Sequence, residues 1–343
     1  MGLIGLMMAC SPESYEGQPS DATSGLVIAF VGQLQEKHAV TRSSALSDEL
    51  TTFRIFAYKN DGYAEGSYTS YQTVINDYTA SWTGDGSPTT SNSRGWEYVN
   101  GTTQTIKYWD MSARAYRFLG YAPATAAVTT DMSADRRTFT MTANATTAET
   151  IAATPYYTEL WFSTGNPADY PDRQFGTPVE LKFLKPFALV RFMFAFAADC
   201  QFTRSSLTNI SLKPIDNTSI ATNGTFTVTY PLKGSATAES WAVTSITDGI
   251  STMTDDYYEG HERWYTMLPT ASQPAYQLSL TANGETRTAS IPAQMVVWEP
   301  GYQYTYIFKF TDAGSLELAQ MQVATRDWMY SEADDINHSM YNW

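Results

Sequence analysis

Short runs of β-branched and aromatic residues, parted by Gly, Pro, Asn and Asp, recur from Gly25 to Ala324. This rhythm constrains the fold more than any other feature, because it fits strands of a sandwich and does not fit helices. Gly25–Leu34, Thr52–Tyr58, Thr105–Trp109, Arg114–Tyr121, Arg137–Thr142 and Tyr157–Phe162 are predicted strands of a first half. Val179–Phe183, Phe187–Ala197, Asn209–Lys213, Thr225–Tyr230, Arg263–Leu268 and Ser315–Ala324 are predicted strands of a second. Tyr276–Thr281 and Glu285–Ile291 flank Asn283-Gly284, a hairpin signal. Tyr302–Phe310 places Tyr302, Tyr304, Tyr306, Phe308 and Phe310 on one face, as an interior strand would. The polar stretch 84–94 reads as a loop, and Ser43–Leu50 and Asp131–Arg136 as short helices. A chain of 343 residues exceeds the roughly 250–300 at which one core stops growing. The densest breakers lie in 164–178, so the chain divides into a leader and tether at 1–24, a first β-sandwich at 25–174 and a second at 175–343. The predicted fold is all-β, with two β-sandwich domains in tandem.

Charge and composition then remove whole classes of function. The net charge of −14 argues against nucleic acid and anionic headgroups as main partners, since both demand a basic face. No apolar run reaches the ~20 residues of a helical membrane span. Two cysteines, Cys10 and Cys200, and three scattered histidines exclude a disulfide scaffold and a cysteine-rich zinc site. His261-Glu262 lacks the second histidine four residues on that a zinc-protease helix requires. Asp255, Asp256, Glu259 and Glu262 carry oxygen ligands suited to calcium, but their spacing matches no defined calcium loop and reads as a solvated run. No nucleophile elbow, phosphate loop or dinucleotide fingerprint is present. The expectation is a protein with no catalytic residues, no metal site and no cofactor. Trp82, Trp96, Trp241 and Trp264 could stack on sugar rings, although aromatics in β-rich chains more often fill the core.

The N-terminus carries one readable signal. Leu3–Ala9 is an apolar run ending at Cys10, followed by a polar Gly/Ser/Pro stretch. That is the layout of a lipoprotein signal, in which the Cys10 thiol takes the lipid. No Lys or Arg precedes the run, and it is short for a signal of about 15–30 residues, which suits an internal start at Met1. The other reading is a buried N-terminal strand with an inert cysteine.

In order and spacing, a series of landmarks resembles the fimbrillin-like family of pilus subunits from Bacteroides-type bacteria. These are Thr41-Arg42 behind the first strand; Phe53-Arg54-Ile55-Phe56-Ala57-Tyr58; Tyr108-Trp109; and Tyr116 through Pro123. Val179 through Phe183 leading into Ala188-Leu189-Val190-Arg191-Phe192, then Pro300-Gly301-Tyr302-Gln303-Tyr304 and Asp327-Trp328, complete the series. Lys185-Pro186 departs from the pattern, standing where the family often has a histidine.

The resemblance implies two transthyretin-like β-sandwich domains, no catalysis, export as a lipoprotein to the outer membrane, and assembly into a fimbrium. It also implies a trypsin-like cut behind the first strand. Between Arg42 and Ser43 is the candidate position, because Thr41-Arg42-Ser43-Ser44 is small and polar between two strand patterns, whereas Arg54 lies inside one. The released strand would carry Leu26, Ile28 and Phe30 on one face, and a neighbouring subunit's strand would replace it by β-augmentation. Expected partners are other pilus subunits and a host or bacterial surface receptor. An ordinary linker arginine at 42 is the competing reading. At the level of function the alternative is a surface glycan-binding lipoprotein, which would keep its first strand and stay monomeric.

Overall fold

The computed structural model describes residues 26–32, 50–60, 71–84, 88–93, 95–133, 137–231, 239–250, 253–255, 264–271 and 274–325. These residues form an almost all-β structure with two hydrophobic cores. One sheet lies at the centre of the first core, ordered Phe183–Leu184, Tyr156–Thr158, Tyr116–Ala122, Thr52–Asn60, Tyr71–Trp82 and Trp96–Glu97, with Trp161–Ser163 also paired to Tyr116–Ala122. All seven residues of Tyr116–Ala122 are buried. Successive strand side chains point to opposite faces, so this sheet is covered on both. On one face Phe53 and Phe118 meet Phe30 edge-on. On the other, Phe56 and Tyr121 meet Phe139, which belongs to a four-stranded sheet ordered Ser240–Ile250, Ile220–Thr229, Thr138–Asn144 and Thr129–Asp131.

The second core is a sandwich of two four-stranded sheets. Tyr265–Met267, Ala188–Phe196, Tyr302–Phe310 and Leu316–Thr325 form one; Met253–Asp255, Leu207–Pro214, Tyr276–Ala282 and Glu285–Ile291 form the other. Ala188–Phe196 pairs in parallel with Tyr302–Phe310 over eight residues. The expected aromatic face is buried at Tyr304, Tyr306, Phe308 and Phe310, with Tyr302 partly exposed at the strand's start. Tyr306 is anchored at its tip, its hydroxyl accepting from Trp298 Nε1 at 3.0 Å and donating to the Met295 carbonyl. The Asn283-Gly284 turn forms as expected, with φ of 49° and 84°.

The two cores interleave along the chain. Phe175, within 164–178, stacks on Trp109 at 5.3 Å in the first core. Val179–Leu181 pairs with Phe30–Gly32, and Phe183–Leu184 with Tyr156–Thr158. The change of core comes at Phe187–Leu189, and Phe226, Val228 and Tyr230, with Trp241 and Val243 against it, return to the first core afterwards. Other departures are local. Of the helix expected at Asp131–Arg136, Asp131 ends the strand Thr129–Asp131, residues 132–133 are not helical and 134–136 lie outside the described residues; the described α-helix is Ala148–Ala153, opened by a Thr147/Thr150 capping box. Lys185, the residue that breaks the family pattern, is buried at the end of that helix. Its ammonium donates to the Ala152 carbonyl at 2.9 Å and to that of Thr154, 4.0 Å from the centre of the Tyr156 ring.

Candidate functional site

The site of interest is the seat of the first strand, whose backbone is held by three separate stretches of chain. Leu26–Gly32 runs between the segment 107–109 and the strand Val179–Leu181. On one side Ile28 N donates to the Lys107 carbonyl and Trp109 N to that of Leu26, both at 2.8 Å, around an antiparallel bridge between Val27 and Tyr108. On the other side Val179 N donates to the Ala29 carbonyl at 2.8 Å, and Phe30–Gly32 pairs in parallel with Val179–Leu181. Two side chains complete the seat. Tyr98 Oη donates to the Ile28 carbonyl at 2.8 Å, and Ser93 Oγ accepts from Phe30 N at 3.1 Å.

Local sequence explains how these groups arrive. Asn92 has φ 57°, a conformation that asparagine tolerates, and it turns the chain so that Ser91 and Ser93 are both buried. Ser91 Oγ donates to the Trp96 carbonyl at 3.0 Å, and the Glu97 carboxylate accepts from the backbone of Thr90, Ser91 and Val99. The turn is therefore fixed from within before it meets Phe30. Tyr98 lies just beyond it and bridges two stretches, accepting from Lys107 N at 3.2 Å while donating to Ile28. Burial pushes its phenol up to about 12, so it remains a donor throughout the neutral range.

The apolar contacts follow the alternation. Ile28 and Phe30 are 0% and 1% exposed, and the Phe30 ring meets Phe53, Tyr98 and Phe118 edge-on at 5.6–6.3 Å between centroids. Ala29 is also buried. Leu26 differs from its expected partners on that face: it is 49% exposed, at the point where the chain enters, and lies over Gly176. Gly176 has φ 86°, and a Cβ there would fall 2.6 Å from the Leu26 Cδ1.

Of the residues singled out from the sequence, Ile28 and Phe30 are brought together in the seat, with Leu26 at its mouth. Cys10, Arg42 and Ser43 lie outside the described residues, as do Asp256, Glu259, Glu262 and the three histidines. Among the described residues no group of three or more His, Cys, Asp or Glu side chains is gathered as metal ligands would be. Cys200 is a free, partly exposed thiol. Trp96 is fully buried. Trp82, Trp241 and Trp264 pack against the first core, and the Arg191 guanidinium lies 4.4 Å from the Trp264 ring centre. Ser93, Tyr98 and the backbone of 107–109 escape a reading of the sequence, apart from the strand pattern at Thr105–Trp109. That segment forms only the Tyr108 bridge, because its partner is the short first strand.

The fimbrillin-like family model matches residues 41–328. The chain belongs to that family. Solved structures resembling this fimbrillin-like chain include one described as a cell adhesion protein of Bacteroides uniformis, at 16% identity and a TM-score of 0.43, covering 91% of this chain and 100% of that one. A fimbrial assembly protein of Parabacteroides distasonis matches at 12% identity and a TM-score of 0.36, over 88% and 99% of the two chains. A C-terminally truncated tip fimbrial protein of Porphyromonas gingivalis matches at 10% and 0.38, over 84% and 97%. No curated protein matches the chain in sequence.

Proposed function

We propose that this fimbrillin-like chain is a non-enzymatic subunit of a cell-surface pilus, assembled by exchange of its first strand. In this reading Cys10 carries a lipid that holds the precursor at the outer membrane, and a protease cuts between Arg42 and Ser43. The segment carrying Ile28 and Phe30 then leaves its seat, and an extended strand of a neighbouring subunit takes its place. Membership of the family supports the pilus role. The observation that carries the exchange is the construction of the seat. Main-chain groups of Lys107, Trp109 and Val179, with the Tyr98 and Ser93 hydroxyls, hold the backbone, while Ile28 and Phe30 fill apolar positions below it. Backbone bonding accepts any extended segment, and the apolar positions set its register, which is the division of labour in β-augmentation.

Limited trypsin digestion of the intact chain tests the reading. The first clip is expected after Arg42, followed by oligomers that do not form from Arg42→Ala. First clipping elsewhere, or native assembly unchanged in Arg42→Ala, would refute the assignment of the cut.

A further inference from the structure

The first core is not built from the first part of the chain alone. Phe226, Val228 and Tyr230 are fully buried members of it, with Trp241 and Val243 packed against them. They come from the hairpin of Ile220–Thr229 and Ser240–Ile250, which in sequence lies between Leu207–Pro214 and Met253–Asp255, two strands of the second core. The hairpin therefore leaves the second core and pairs seven residues, Asn223 to Thr229, with Thr138–Asn144. It is fastened by the Tyr230 hydroxyl donating to the Thr158 carbonyl at 2.8 Å, by paired hydroxyls of Thr140 and Thr227 at 3.0 Å, and by ring contacts of Phe226 with Tyr157 and of Tyr230 with Phe139. Without it, the layer behind the central sheet would be a pair of strands of three and seven residues, Thr129–Asp131 and Thr138–Asn144. An isolated two-stranded hairpin is marginal in water.

The position of this layer matters. Phe30 covers one face of the central sheet, and the hairpin layer backs the other. We propose that the paired strands Ile220–Thr229 and Ser240–Ile250 act as a strap, with second-core strands before and after them in the chain, that keeps the central sheet folded while its first strand is absent. The need for such a device rests on the strand exchange proposed above; the strap's mechanical role does not. When Phe30 leaves, one face of the sheet opens to water. What keeps Thr52–Asn60 and Tyr116–Ala122 in register is then the layer behind them, which cannot diffuse away.

Hydrogen exchange on the full-length chain, resolved by segment, reads this directly. Phe30→Asp unseats the first strand without any cleavage. In that variant, Thr52–Asn60 and Tyr116–Ala122 are expected to stay protected, and adding Val228→Ala should lower their protection roughly tenfold more than the same change does with Phe30 intact. Tyr302–Phe310 in the second core serves as the internal control and should not respond. In the Phe30→Asp, Val228→Ala protein, a staple made by Thr140→Cys with Thr227→Cys, in a Cys10→Ser, Cys200→Ser background, should restore protection when oxidised and lose it when reduced. Loss of central-sheet protection in Phe30→Asp with the staple closed would overturn the strap. So would equal effects of Val228→Ala with and without Phe30. Uptake of a synthetic peptide of residues 26–31 by Phe30→Asp is a separate readout: failure there counts against strand exchange and leaves the strap standing.

Discussion

Phe30→Ala is the sharpest probe of the first-strand seat. The side chain is 1% exposed and meets three aromatic rings edge-on, so truncation removes both its transfer free energy and its packing partners. Fully burying a phenylalanine contributes about 1.5–3 kcal/mol, and the cavity left behind brings a core Phe→Ala change to about 3–5 kcal/mol. The neighbours Phe53, Tyr98 and Phe118 are held by a sheet and by a fixed turn, so little collapse is available and the upper part of the range applies. For a folding unit of this size a loss of about 4–5 kcal/mol corresponds to a fall in Tm of about 8–20 °C. Leu26→Ala, at the exposed mouth of the same segment, should change Tm by under about 2 °C, since exposed sites lie within about 0.5 kcal/mol. Thermal unfolding followed by tryptophan fluorescence compares the two. A Phe30→Ala protein melting within 2 °C of wild type would refute the claim that this segment is part of the first core. The same arithmetic bears on exchange. Ile28 and Phe30 together contribute about 3–6 kcal/mol before any hydrogen bond is counted, a large share of a usual net stability of 5–15 kcal/mol, so an emptied seat strongly favours refilling.

Tyr98→Phe should cost about 1–3 kcal/mol in chemical denaturation, because the Ile28 carbonyl and Lys107 N–H lose a buried partner. Tyr98 also has a signed pH signature. Its folded pKa, about 12, lies above the ordinary 10, so its contribution is fully present below pH 10 and is lost as pH rises toward 12; the alkaline decline should be shallower in Tyr98→Phe. Gly120→Ala would place a Cβ 2.3 Å from the Arg54 backbone oxygen of the adjacent strand, so a loss of about 1–3 kcal/mol or more in a denaturant melt is expected, and a neutral result would show that the strands can part there. A fatty-acid probe should label the wild-type precursor and not Cys10→Ser, with Cys200 unlabelled in both; equal labelling would remove the lipid-anchor reading.

Much of the fold is legible in the sequence where one face of a strand is apolar and the turn residues are unambiguous. Tyr276–Ala282 is buried at every second residue, and Asn283-Gly284 supplies the two positive φ angles its hairpin needs. Strands that lack a clean alternation are not legible. Tyr71–Trp82 is twelve residues long, but Asp77 bulges at φ 55° and shifts the register against Thr52–Asn60, so its pattern breaks mid-strand. Ser240–Ile250 is an edge strand whose residues 244–247 are all exposed, so its alternation stops after Trp241 and Val243. Membership of a core is hidden for a different reason. Prolines in 164–178 mark turns, whereas membership of a core is decided by pairings such as Phe226 with Met141, which no local pattern records. The seat is half visible: Ile28 and Phe30 alternate in plain view, but Ser93 and Tyr98 meet them only through contacts 63 and 70 residues apart.

The parallel pairing of Ala188–Phe196 with Tyr302–Phe310 has a kinetic consequence. Arg191 and Thr305 lie side by side yet are 114 residues apart in the chain, and among the described residues between them there is no α-helix to shorten the route. Contacts this distant in sequence place a chain among slow folders, because the loop must close before the ladder rewards it. During synthesis Ala188–Phe196 emerges long before its neighbour exists, with Val190, Phe192 and Phe194 awaiting burial. For that interval these apolar residues are open to association with other chains, until Tyr265–Met267 and Tyr302–Phe310 are made and pair on either side of them.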